Sequence, residues 1–176
     1  MGTNKQRFAV VTNEFNPCRK NEFMYQLKRL MHFKAAATYA AKIIRDVQNV
    51  SYDGYGNPRW SKQGFHLSLH DETGYEVATF GWRGISYDTV IEGDAAMWAA
   101  VQYVIAAMRN AKRDVLEDAR REMTPSEIEK EFGLARGTVR KYINEHKELV
   151  KIGVVRKADA RTWLVKRGWV LYRWGK

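Results

Sequence analysis

This chain of 176 residues has a single cysteine, Cys18. One thiol excludes an internal disulfide, cannot by itself make a zinc site, and is the cysteine usage of a reducing compartment. Long hydrophobic runs are missing too. The longest, Ala95 to Met108, is broken by Gln102 and falls short of the roughly 20 apolar residues that a membrane-spanning helix needs. No amino-terminal stretch has the apolar core of a signal peptide. A cytoplasmic protein with no membrane partner is expected, associated with the nucleoid if its partner is DNA. Nothing repeats at a fixed period, and no segment is of low complexity. Acidic residues thin out in one region: Leu134 to Lys176 holds twelve Lys and Arg against three Asp and Glu, a net +9 of the whole chain's +10. Residues 1 to 133 are therefore nearly neutral, at +1. A solvated face usually mixes signs, so this concentration points to a polyanionic partner for the last third.

Reactive constellations are scarce as well. Gly81-Trp82-Arg83-Gly84 has neither the spacing nor the lysine of a phosphate-binding loop. Glu92 and Asp94 flank Gly93 at a helix start, where the helix dipole accounts for them. His66 and His70 share a strand face with Ser68, and Asp71 is adjacent. Two histidines four apart on a strand are roughly 13 Å apart, too far for one metal without a bend. These residues are expected to form the exposed polar face of an amphipathic hairpin. No catalytic residue, metal or cofactor is expected, and the chain is read as non-enzymatic.

What is present is concentrated in Thr124 to Asn144, TPSEIEKEFGLARGTVRKYIN. Thr124, Pro125 and Glu127 make a capping box that starts a helix. Ile128 and Phe132 give that helix an apolar stripe, and Gly133 supplies the left-handed residue that ends it. A second helix is expected from about Arg136 to His146, with Val139, Tyr142 and Ile143 facing the first. Its outer face carries Arg136, Thr138, Arg140 and Lys141. Arginine can fork onto guanine, and threonine can touch a thymine methyl or a phosphate. Beyond it, Gly153 to Lys157 and Arg161 to Val165 have the composition of two strands, with a short helix expected from Lys166 to Trp174.

This third of the chain resembles the helix-turn-helix domains of the excisionase-like and MerR-like winged class. The carrying residues are the two-helix stretch and Arg161-Thr162-Trp163-Leu164 in the second strand of the wing. Glu129 departs from the pattern, standing where such motifs usually carry a small residue, and so does Arg136, where a serine-like cap is common. The resemblance implies a double-stranded DNA partner and a small prokaryotic or phage transcriptional regulator, such as a repressor. DNA contacts would come from Arg136, Thr138, Arg140 and Lys141 in the major groove, with Arg156, Lys157 and Arg161 on the wing.

Residues 1 to 122 resemble nothing that we identify. Arg7 to Thr12 has strand composition, within a segment 1–20 whose terminus is expected to fray. Apolar residues from Phe23 to Val47 recur with helical spacing, predicting a helix from Asn21 to about Gln48. Ser51 to Lys62 is expected to be a loop or short hairpin. Phe65 to His70 and Tyr75 to Trp82 read as a hairpin turning at Asp71 to Gly74. A long helix starts near Glu92. Its first half is apolar almost all round, which fits either burial in a core or two-fold pairing in a homodimer. The expected fold is α+β, a small antiparallel sheet with two long helices followed by a C-terminal winged helix-turn-helix. The expected segments are 1–20, 21–122 and 123–176. The neutral module 21–122 is expected to dimerise, sense a ligand or bind a protein. If it binds a protein, the chain reads instead as an inhibitor or antitoxin-like protein of a mobile element; a third reading is an architectural recombination factor.

Overall fold

The computed structural model describes residues 7–15, 23–27, 30–60 and 65–175. Cys18, Asn21 and Lys62 lie outside the described residues, as do positions 1–6 and 16–20 of the segment expected to fray. The chain forms two units, one of residues 1–50 and 60–114, the other of residues 51–59 and 115–176. This differs from the three expected segments. The later boundary falls within a helix rather than near residue 122, and the piece Ser51–Arg59 belongs with the carboxy-terminal unit.

The first unit is built on an antiparallel sheet. Its strands are β1 (Arg7–Phe15), β2 (Phe23–Leu27), β3 (Met31–His32), β6 (His66–His70), β7 (Glu76–Gly81) and β8 (Gly84–Tyr87), in the order β2-β1-β6-β7-β8 with β3 also on β1. Leu67 and Leu69 alternate onto the core side with Phe80 and Ala78 opposite them, the period-two pattern of a half-buried strand. The β6–β7 turn lies where expected. It is held by Asp71, whose Oδ1 accepts the N–H groups of Thr73 and Tyr75. Gly81 to Gly84 is the tight turn joining β7 to β8.

The long helix expected from Asn21 is a correction. Residues 23–27 pair with β1 as a strand, and only Phe33–Arg45 is helical (α1), with the His32 side chain as its amino-terminal cap. Phe23 and Leu27 fit a helical spacing, but strand pairing with a distant segment outweighs local periodicity. Ala36, Ala37, Ala40, Ala41 and Ile44 form the buried face of α1. The second long helix, α2 (Ala95–Arg120), is one-sided rather than apolar all round in its environment. Ala100, Val101, Val104, Ile105, Met108 and Ala111 are buried, while Ala96, Ala99, Tyr103 and Ala106 are exposed. Asp94 caps it through the N–H groups of Ala96 and Met97.

The second unit contains the hairpin β4 (Ser51–Tyr52) and β5 (Pro58–Arg59), the carboxy-terminal turns of α2, and then β9 (Glu122–Met123), α3 (Pro125–Glu131), α4 (Thr138–Glu145), α5 (Glu148–Lys151), β10 (Val155–Lys157), β11 (Trp163–Lys166) and α6 (Arg167–Trp174). Its three-stranded sheet runs β10-β11-β9, all antiparallel. One core joins Met123, Ile128, Val139, Ile143, Leu149, Val154, Val155, Val165, Trp169 and Val170. The β4–β5 hairpin meets α6 backbone to backbone. A Cβ on Gly168 would lie 2.0 Å from the Gly56 carbonyl oxygen, and one on Gly56 would lie 2.5 Å from the Trp169 nitrogen.

Gly168→Ala is expected to destabilise the unit by at least the about 1–3 kcal/mol of an overpacked core, since the obstructing oxygen has no rotamer to change. Gly54→Ala, whose added carbon meets nothing within 4 Å, is the control. Urea denaturation of both variants checks it, and equal midpoints would contradict the close approach.

Candidate nucleic-acid interface

The first of the two short helices, α3, begins as its capping residues dictate. Thr124 donates its N–H to Glu127 Oε2 at 2.7 Å, and the Glu127 N–H returns to Thr124 Oγ1 at 3.4 Å, with Pro125 in the first turn of α3. Gly133, at φ 63°, follows the last turn of α3, and the Leu134 N–H closes onto the Glu129 carbonyl. Ile128 of α3 packs with Val139 and Ile143 of α4, and Phe132, Leu134 and Tyr142 close the edge of that core.

The second helix starts two residues later than expected, at Thr138 with Gly137 as its cap. Arg136 therefore sits on the turn before the helix. Arg136, Arg140 and Lys141 are exposed and Thr138 is half-buried. The Lys141 ammonium lies 4.0 Å from Glu145, whereas the side chains of Arg136 and Arg140 have no ionic or hydrogen-bond partner among the described residues. Tyr142 is held from within, its ring 5.8 Å from that of Trp169 and 5.7 Å from that of Trp174. The Arg173 guanidinium lies 5.1 Å from the Tyr142 ring centre.

Glu129 was flagged in the sequence only as a departure from a motif, and the structure gives it a function. Its Oε1 accepts the Val139 N–H at 3.1 Å, at the first turn of α4. Gly137 has no side chain with which to make that bond, and the cap makes none. A donor that a local Ser, Thr or Asn usually satisfies is instead satisfied from the preceding helix. The sequence signal was a carboxylate ten residues before an uncapped helix start.

The β10–β11 hairpin ends in a compact loop, Ala158 to Thr162. The Asp159 carboxylate accepts the N–H groups of Arg161 and Thr162, both at 2.7 Å. Of the three cations expected to contact DNA here, Arg161 projects from the loop, exposed and without a side-chain partner among the described residues. The Lys157 ammonium lies over the Trp163 ring at 5.1 Å. Arg156 is engaged elsewhere: its Nε and Nη2 donate to the two oxygens of Glu122 on β9 at 2.6 and 2.5 Å. That forked pair braces the outer strands of the three-stranded sheet across β11.

In the first unit, the expected exposed polar face is only partly exposed. Ser68 is 2% accessible; its Oγ lies 2.9 Å from His66 Nε2 and donates to Glu76 Oε2 at 2.7 Å. The carboxylate holds the hydroxyl and not the far side of the imidazole, where a nucleophilic Ser-His-acid relay places its acid. Among the described residues no group of three or more His, Cys, Asp or Glu is arranged to hold a metal ion, and no helix is long and apolar enough to cross a membrane.

No protein-family model, curated protein or solved structure matches this chain.

The hydrogen bond from Arg156 holds the Glu122 carboxyl below its ordinary value of 4.5. A carboxyl depressed by folding stabilises the fold above its unfolded pKa and loses that contribution as pH falls through the folded one. Glu122→Gln is therefore expected to lose less stability than the wild type on acidification below about pH 4.5. Urea midpoints across an acid series measure it; parallel curves would show that the brace contributes nothing.

Proposed function

We propose that this protein binds double-stranded DNA in a sequence-specific way and acts, without enzymatic activity, as a small transcriptional regulator of prokaryotic or phage type. The second unit is its reader, a winged helix-turn-helix with α4 as the recognition helix and the β10–β11 hairpin as the wing. The observation that carries the reading is the division of the cations. Arg136 and Arg140 present guanidinium groups with no partner among the described residues, beside and on α4, whose opposite face is buried through Val139 and Ile143. A helix with an apolar back and free forked donors in front is the element that enters a major groove. Lys141 and Thr138 flank those arginines, and Arg161 is the wing contact with a phosphate or the neighbouring minor groove. Arg156 is assigned to bracing the wing, and Lys157 keeps its charge available beside Trp163.

Selection of bound sites from a random duplex library is expected to enrich one motif. Arg140→Ala is expected to cost about 1–3 kcal/mol and relax preference at one position. No enriched motif, or an equal loss on every sequence, would sink the assignment of α4 as a base reader.

A protein contact for the first unit, by self-pairing or as an inhibitor of another protein, is favoured by its exposed aromatic residues Tyr75, Trp82, Tyr87 and Tyr103, a residue class enriched at interfaces. Sedimentation of the full chain separates the two. A dimer dissociated by Tyr103→Ala assigns the α2 surface to two-fold pairing, which would supply two half-sites; a monomer at micromolar concentration rejects self-pairing.

A further inference from the structure

The amino end of α4 is closed by a charge. Aligned N–H groups at a helix start ordinarily attract an anion, and on DNA that anion is a backbone phosphate. Here the Thr138 N–H is bonded to the Ala135 carbonyl, and the Val139 N–H is bonded to the Glu129 carboxylate. Glu129 reaches there from α3, is half-buried, and has no cationic partner among the described residues. Its negative charge therefore stands beside a helix end flanked by Arg136 and Arg140.

We propose that Glu129 is a positioning residue that keeps the DNA backbone off the amino end of α4 and so reserves that end for base edges. The inference rests on the DNA-binding reading above. Capping alone does not call for a charge, because a neutral hydroxyl or amide satisfies the same N–H. A carboxylate adds repulsion toward a phosphate. Without it, Arg136, Arg140 and the open helix end would together grip the nearest phosphate on any sequence, the contact that dominates non-specific affinity. With it, the phosphate is held away and the arginine forks remain for guanine edges. Specificity is a difference between affinities, and weakening the wrong complex raises it as surely as strengthening the right one.

Glu129→Gln tests this, because the amide keeps an oxygen for the Val139 N–H while the charge is lost; circular dichroism checks that the fold is retained. Wild type and variant are titrated with the selected site and with an unrelated duplex across a salt series. The variant is expected to bind the unrelated duplex roughly two- to fivefold tighter. Its log affinity should fall more steeply with log salt, by up to about 0.9 in slope, while the selected site gains less, so that the specificity ratio drops. Glu129→Ala, which also opens the helix end, is expected to move the same way. Unchanged non-specific affinity and salt slope in both variants would reduce Glu129 to a cap and overturn the proposal. A loss confined to one cytosine-bearing position would overturn it too, making Glu129 a base reader itself. If the wild type bound neither duplex, the DNA-binding reading would fall, and the proposal with it.

Discussion

Arg167 is the point on which the second unit hangs. Its guanidinium, 16% exposed, donates to Asp118 at the end of α2 at 2.9 Å and to Glu131 at the end of α3 at 2.5 Å, while the backbone N–H of Arg167 donates to the Arg121 carbonyl. Burial alone would disfavour this charge, but the hydrogen bonds to Glu131 and Asp118 outweigh it and raise the Arg167 pKa. Three chain segments far apart in sequence thus meet at one forked donor. The next residue, Gly168, is where the β4–β5 hairpin touches α6, and the next two, Trp169 and Val170, are in the core that supports α4. The position of α4 therefore depends on a charge and a missing Cβ that lie nowhere on its own surface.

The same unit shows how a strongly basic segment stays folded. Its cations are not one solvated cloud. Arg167 and Arg156 are held by carboxylates, and Arg173 and Lys157 lie over aromatic rings, where cation–π attraction offsets part of the desolvation. Others, among them Arg136, Arg140 and Arg161, are exposed and have no ion-pair or hydrogen-bond partner among the described residues. Net charge by itself could not separate these groups, because forming an ion pair changes neither composition nor sign.

Local chemistry was legible where a few neighbouring residues decide the outcome. Thr124, Pro125 and Glu127 announce the start of α3, and Asp71 to Gly74 announces a hairpin turn, because each motif satisfies its own hydrogen bonds within four residues. Phe23 to Leu27 failed for the opposite reason. Its spacing suits either a helix or a strand, and the partner that settles the matter is β1, with Leu27 opposite Val11 and Phe23 opposite Phe15. Ser68 was read as exposed from strict alternation, yet it is buried in a hydrogen-bonded group with His66 and Glu76. Alternation tells which face a residue occupies, not what covers it.

The sequence by itself determined the α+β composition, the hairpin of β6 and β7, the capped start of α3, the apolar stripe of α4 and the placement of excess positive charge in the last 43 residues. Each depends on residue type and short spacing. The tertiary structure alone decided that Ser51–Arg59 belongs to the unit of residues 115–176, that Arg156 is spent on Glu122, and that Glu129 caps a helix ten residues away. Those outcomes depend on which groups the fold brings within about 3 Å of one another, and pairings across such sequence separations leave no periodic trace in the chain.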